Sequence, residues 1–175
     1  IVSTYQAASG AGIKGLEELD RQLKAAGAGQ PLPAPEVFPH PILMNVLSHN
    51  TSIREDGRLG AGYNEEECKV MEETRKILAI SHLPISATCV RVPVRRAHTE
   101  AVTVDLQREV PLEEVRKAFE STPGLRLVDD VARNHFPMPI DAEDRDEVLV
   151  GRIRKDSILP RTIHFMIAGD QLRKG

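Results

Sequence analysis

The stretch Ser86–His98, S-A-T-C-V-R-V-P-V-R-R-A-H, begins as an apolar, β-rich run and ends with Arg91, Arg95, Arg96 and His98 gathered around Pro93. A buried strand of this kind delivers cations and an imidazole to one place, which suits anion binding and proton transfer; a strand with a merely solvated basic end reads the same way. Glu66 and Lys69, on a helical segment upstream, extend the set. Arg91 offers a planar fork for a carboxylate, Lys69 a point charge for a phosphate, Glu66 a partner for an ammonium, and His98 a base near neutral pH. Together they fit a substrate with an amino-acid end and an anionic acyl group. On an ideal strand Arg91 and His98 face opposite sides, so sharing a site requires the chain to break at Pro93. Glu66 and Lys69 also read as an ordinary i,i+3 surface pair, worth about a few tenths of a kcal/mol.

Other chemistries find less support. His40, His49, His82, His98, His135 and His164 are scattered, and H-x-E at 98–100 lacks further ligands, so no metal site is expected. No Walker loop and no G-x-G-x-x-G occurs, so the chain holds no dinucleotide-binding domain of its own. Cys68 and Cys89, with no CxxC, exclude a disulfide framework and a cysteine zinc site and suit a reducing, cytoplasmic setting. Neither is a convincing nucleophile: Cys68 falls on the helix side away from the apolar face, and Cys89 lies within an apolar strand.

The elements that must position these residues are legible from periodicity. I-V-S-T-Y-Q ends a strand, A-A-S-G-A-G turns the chain, and Leu16, Leu19, Leu23 and Ala26 mark a helix stopping at Gly27. The S-G-A-G turn either presents backbone N–H groups to an anion or simply lets strand and helix approach. Ala28–Pro41, with five prolines, is an extended arm over one domain or a partner subunit. Ile42–Leu47 is a short strand candidate and Ser48–Gly62 a polar loop with three glycines. A capping box at Asn64 and Glu67 opens the next helix, whose buried face is expected at Val70, Met71, Thr74, Ile77 and Leu78, with Glu66, Lys69 and Glu73 along one rim. Beyond Ser86–His98 follow a strand from Ala101, a helix over Pro111–Thr122, and strands at Leu125–Val131, Glu147–Lys155 and Thr162–Ala168. Strands outnumber helices without βαβ alternation, which points to an α+β domain with a mixed, largely antiparallel sheet covered by helices.

A chain of 175 residues with 41% apolar and 28% charged positions suits one domain with a true core. The formal charge of −3, without a basic tract, calls for no nucleic-acid partner. No run of about 18 apolar residues and no signal-peptide layout occurs, so no membrane role is expected. The start at Ile1 suggests a fragment or a processed chain.

S-T-Y-Q-A-A-S-G-A-G at 3–12, E-E-C-K-V-M-E-E-T-R-K-I-L at 66–78, T-C-V-R-V-P-V-R-R-A-H at 88–98 and G-D-Q-L-R-K-G at 169–175 resemble the aspartate-β-semialdehyde dehydrogenases in order and spacing across the whole chain. The resemblance implies the C-terminal substrate-binding and dimerisation domain of such an enzyme, a single domain over 1–175 of the type found in glyceraldehyde-3-phosphate dehydrogenase-like enzymes. The family's NADP-binding domain, its catalytic cysteine and a C-terminal helix lie outside these residues. It further implies His98 as acid/base, Gln6 as the group orienting the acyl-enzyme, Arg91 on the substrate carboxylate, Glu66 on its amino group and Lys69 on phosphate. Ser9, Gly10 and Gln171 would lie near the nicotinamide of NADP. The implied reaction is the reversible NADPH-dependent reductive dephosphorylation of L-aspartyl-4-phosphate to L-aspartate 4-semialdehyde, in lysine, methionine and threonine synthesis, by a homodimer or homotetramer. A non-catalytic relative serving as an assembly module, and N-acetyl-γ-glutamyl-phosphate reductase, are the alternatives; Glu66 and Lys69 suit the aspartyl pattern better than the latter.

Overall fold

The computed structural model describes residues 1–55 and 62–174. Residues 56–61 of the expected polar loop, and Gly175 of the last motif, lie outside the described residues. Two compact units carry the chain, one of Val2–Arg95 and one of Arg96–Gly175 together with Ile1.

In the first unit, β1 (Val2–Gln6) leads through a 3-10 turn at Ala8–Ala11 into α1 (Gly12–Gly27). α1 ends as its composition predicts. Gly29, at φ 66°, lets the Gly29 and Gln30 N–H groups bond back to the Ala26 and Ala25 carbonyls at 3.0 and 2.9 Å. Its buried face differs from the apolar expectation. Gly15, Glu18, Leu19 and Gln22 are buried, whereas Leu23 and Ala26 are exposed. The proline-rich arm is the reason, because it folds back over α1 and needs acceptors for its few amides. Glu18 Oε2 accepts the Glu36 and Val37 N–H groups at 2.8 and 2.6 Å, and Gln22 Oε1 accepts that of Leu43 at 2.9 Å. Buried polar groups survive only when so partnered. Phe38, Ile42, Leu43 and Leu47 then close a core over Ala8 and Leu19.

Ile42–Leu47 is therefore no strand. An Asn45 N–H to Ile42 carbonyl turn and a left-handed Met44, at φ 55°, interrupt it, and only Leu47 pairs, in a single antiparallel bridge to Arg91. α2 (Glu65–Ile77) is followed by β2 (Ala87–Arg91), which runs parallel to β1 with Thr4 opposite Cys89 and Gln6 opposite Arg91. The capping box forms as read. Asn64 Oδ1 accepts the Glu67 N–H, and Glu67 Oε2 accepts the Asn64 N–H, both at 2.9 Å. The face expected to be buried holds at Met71 but not at its C-terminal end. Glu67, Cys68 and Met71 are buried, while Ile77 and Leu78 are exposed. Glu67 turns the helix this way, since its Oε1 also accepts the Cys89 N–H on β2 at 3.0 Å. Cys68 thus faces the interior rather than the opposite side.

In the second unit, β3 (His98–Asp105), α3 (Leu112–Ser121), β4 (Leu125–Leu127), α4 (Pro139–Ala142), β5 (Val148–Lys155), β6 (Thr162–Gly169) and α5 (Gln171–Lys174) follow in order. The strands lie in the sequence β3, β6, β5, β4; the two long pairings are antiparallel and β4–β5 is parallel. The fold class is thus α+β with mixed strands. The expected strand at Leu125–Val131 shortens to its first three residues, beyond which the Val128 N–H still bonds to the Val150 carbonyl at 2.8 Å and its own carbonyl packs closely on Gly151. Val115 of α3 packs with Ile153 and Ile163, flanked by Leu112, Phe119 and Phe165, so the apolar stripe of the helix covers one sheet face. Phe119 and Phe165 meet edge to face at 5.1 Å between centroids. Among the described residues no helix is long and apolar enough to cross a membrane.

Candidate active site

Four of the residues singled out in the sequence meet at the C-terminal ends of the parallel pair β1–β2. Gln6 and Arg91 are register partners, and both are buried. Gln6 Nε2 donates to Glu66 Oε1 at 3.2 Å, and Lys69 Nζ stands 3.5 Å from both Glu66 oxygens. The capping box and the Glu67–Cys89 bond bring Glu66 to this point, because they seat the first turn of α2 against β2.

Arg91 is only 2% exposed, and among the described residues it forms no ion pair. Its Nη1 donates to the Ala7 carbonyl at 2.8 Å, while Nε and Nη2 both reach the single Oδ1 of Asn50, at 3.3 and 3.0 Å. The edge of the fork that suits a carboxylate thus closes on one neutral oxygen. Burial above all lowers the Arg91 pKa from its ordinary value, with Glu66 acting against it. A guanidinium remains charged through such a shift.

Glu66 is pushed up by burial, the largest influence, but the Gln6 amide and the Lys69 ammonium outweigh it and hold the carboxyl below its usual range. It is an anion at neutral pH, ready for an ammonium. Lys69 is exposed, and its long contacts to Glu66 leave it able to turn to another anion.

His49 is the residue that sequence reading missed. Its Nε2 lies 2.9 Å from Gln6 Oε1 and 3.0 Å from Arg91 Nη2, and its Nδ1 lies 3.1 Å from Thr51 Oγ1. Burial first, then the Arg91 charge, lower its pKa to about 4, so the ring is neutral. In sequence it sits in a polar loop among scattered histidines; only the Leu47–Arg91 bridge brings it in.

His98 opens β3 in the second unit, half-buried and opposite Gly169 in the β3–β6 register. The turn before it is tightly held. Ala97, at φ 69°, has its N–H accepted by Gln171 Oε1 at 3.1 Å. Arg96 is no solvated turn residue. Its Nη2 lies 2.7 Å from the carboxylate of Asp170, which is fully buried, and its Nη1 lies 2.8 Å from Asp144. Asp170 also accepts the Asp144 and Leu172 N–H groups at 2.8 and 3.0 Å. The G-D-Q-L segment therefore fastens the R-R-A-H segment, and Gln171 holds the backbone ahead of His98. Arg95 instead pairs with Asp20 in the first unit.

The turn carrying Ser9 and Gly10 spends its amides within the chain. The Ala8 and Ser9 N–H groups bond to the Val94 and Arg95 carbonyls at 2.7 and 3.0 Å, and the Gly10 N–H bonds to that of Ala7 at 3.0 Å. It is no anion cradle, though Gly10 keeps an exposed, side-chain-free surface. Both cysteines are buried. Among the described residues no three His, Cys, Asp or Glu side chains are grouped to hold a metal ion.

Fold and site define an α+β domain with a buried guanidinium fork, a carboxylate and a glutamine convergent at one strand end, suited to a small zwitterionic or anionic molecule. The chain belongs to the family of semialdehyde dehydrogenase dimerisation domains, whose family model matches residues 1–174. It is 45% identical over 175 residues to an aspartate-semialdehyde dehydrogenase of Synechocystis and 43% identical to that of Aquifex aeolicus, covering all of this chain and 50% of each relative. The crystal structure of aspartate semialdehyde dehydrogenase II from Vibrio cholerae complexed with ASA superposes with a TM-score of 0.91 at 35% identity, over 99% of this chain and 49% of that one. The chain thus spans about half the length of the relatives it matches.

Proposed function

We propose that this chain is the substrate-binding and dimerisation part of an NADP-dependent aspartate-semialdehyde dehydrogenase, which interconverts L-aspartyl-4-phosphate and L-aspartate 4-semialdehyde. One observation carries the reading: Arg91 is a buried guanidinium whose Nε/Nη2 edge meets, among the described residues, neutral partners alone, Oδ1 of Asn50 and, at Nη2, the His49 ring, beside a Glu66 carboxylate bonded to Gln6. A buried cation without an anion is costly, and a substrate carboxylate supplies both the charge and the second oxygen that the fork lacks. Asn50 yields that edge when the carboxylate arrives.

Glu66 then takes the α-amino group, and Lys69 turns from its long Glu66 contact to the phosphate. Gln6, fixed by Glu66 on one side and His49 on the other, orients the acyl carbon through its amide. His98, steadied by Gln171 and the Arg96–Asp170 pair, serves as the acid/base. Proton transfer by a held imidazole contributes about 10²–10⁴-fold in such reactions. The nucleophile is the cysteine that the family resemblance implies outside these residues; the burial of Cys68 and Cys89 is consistent with it, since a reactive thiol needs exposure. NADP supplies the hydride acceptor and donor and is held chiefly by residues outside this chain. Gly10 offers it a bare surface, while Ser9 and Gln171 support the turns nearby. The protein assembles as a homodimer or homotetramer through this domain, in the cytoplasm, a reducing setting that suits a chain with two cysteines and no CxxC.

The test is an assay of the protein that carries this chain, with L-aspartate 4-semialdehyde, phosphate and NADP. Phosphate-dependent NADPH formation supports the proposal, and its absence in a folded dimer favours the assembly-module reading. Light scattering at micromolar concentration reads the oligomer; a monomer would remove the assembly part.

A further inference from the structure

We propose that His49 is a positioning residue which, through one ring nitrogen, holds Gln6 and Arg91 in a common geometry and so links the group that orients the acyl unit to the group that grips the carboxylate. The inference rests on the function proposed above and extends it to a residue outside the expected set.

The Gln6 amide has one orientation, since its Nε2 donates to Glu66. Its Oε1 can therefore only accept, while Arg91 Nη2 can only donate. Both meet the same His49 Nε2, at 2.9 and 3.0 Å. A neutral ring carries one proton, so Nε2 serves Gln6 as a donor or Arg91 as an acceptor, never both at once. Thr51 Oγ1, at 3.1 Å from Nδ1, accommodates either tautomer because a hydroxyl both donates and accepts. Gln6, His49 and Arg91 thus form one hydrogen-bonded unit: drawing Nη2 toward a carboxylate releases Nε2 to donate to Gln6, which tightens Gln6 as the substrate seats.

The ring's neutral state, set by burial and by Arg91 with a pKa of about 4, keeps an imidazolium from facing the guanidinium. The backbone adds an independent sign. His49 has φ 105°, a conformation that costs a β-carbon residue strain and persists where the surroundings over-determine it. The surroundings are the Leu47–Arg91 bridge, at 3.0 and 2.8 Å, and the Asn64 side-chain amide donating to the Ser48 carbonyl at 2.9 Å.

The experiment compares wild type, His49→Leu and His49→Gln in the protein that carries this chain, by steady-state kinetics and thermal melting. Leucine fills the ring's space without polar atoms; glutamine brings one donor and one acceptor, which together satisfy Gln6 and Arg91. Loss of the Nε2 bond, whichever partner it serves, is expected to lower kcat about tenfold or more and to raise KM in His49→Leu, with most of each restored in His49→Gln. Wild-type kinetics in His49→Leu, or equal loss in both variants at wild-type melting temperature, overturns the proposal. If His49→Leu fails to fold, His49→Gln decides alone: near-wild-type kcat and KM support it, and a loss of about tenfold overturns it. If wild type shows no turnover, the function reading fails and 15N NMR of labelled histidine decides the positioning role. A His49 ring neutral at pH 6 whose Nε2 signal shifts in Gln6→Ala supports it; a protonated ring, or no shift, overturns it.

Discussion

His49 Nε2 lies 3.0 Å from Arg91 Nη2 in a setting where both side chains are buried, so a ring that titrates near neutrality in water stays neutral against a permanent cation. The stability of the first unit follows from that relationship. The His49 pKa falls from 6.5 to about 4 on folding. Above 6.5 the ring is neutral in both states and its contribution is complete. Between 6.5 and 4 the unfolded chain takes up a proton that the folded chain refuses, so stability falls with pH; below 4 both states are protonated and the loss stops. At about 1.4 kcal/mol per pKa unit, the loss reaches up to about 3 kcal/mol. Denaturant midpoints of wild type and His49→Gln at pH 7, 5.5 and 4.5 isolate it, because other groups titrate alike in both. Parallel curves would show that the ring is not held neutral.

Arg91→Lys keeps a positive charge and discards the fork. In the protein that carries this chain, kcat/KM for the semialdehyde is expected to drop about 10–100-fold, mostly through KM, as the bidentate contact is lost. Unchanged kcat/KM would remove Arg91 from carboxylate binding.

Asp170→Ala leaves the Asp144 and Leu172 N–H groups without their acceptor and Arg96 without its buried partner. The expected cost is about 1–3 kcal/mol in unfolding free energy, because several bonds to one fully buried carboxylate are lost together. Activity should fall as well, since the turn ahead of His98 loosens. A midpoint equal to wild type would mean that the Arg96–Asp170 pair holds nothing in place.

Gly151→Ala sets a methyl group into the Val128 carbonyl and against Pro137 Cδ at 2.9 Å. Backbone cannot yield as a flexible side chain does, so the β4–β5 pairing must shift. A loss of about 1–3 kcal/mol is expected by chemical denaturation, and a neutral substitution would contradict the close approach of the two strands.

Sequence periodicity and punctuation determined much of this protein. The capping box at Asn64, the helix ending by Gly27, the third helix after Pro111 and the last two long strands of the second unit, β5 and β6, were legible because their signals are local: a side chain bonding three residues away, a ring that fixes φ, an alternating face. Residue chemistry likewise marked Glu66, Lys69 and Arg91, and the family resemblance added Gln6; the fold brings these four to one point. Faces and partners were decided elsewhere. α1 buries Glu18 and Gln22 rather than Leu23 because the proline-rich arm needs acceptors for its amides. α2 buries Cys68 because Glu67 reaches a strand 22 residues on. Arg96 holds a buried Asp170, and His49 enters the site through a bridge to Arg91, 42 residues away. Each of these is a polar group finding a buried partner far along the chain, and no local pattern encodes that distance; only tertiary structure can settle which partner is there.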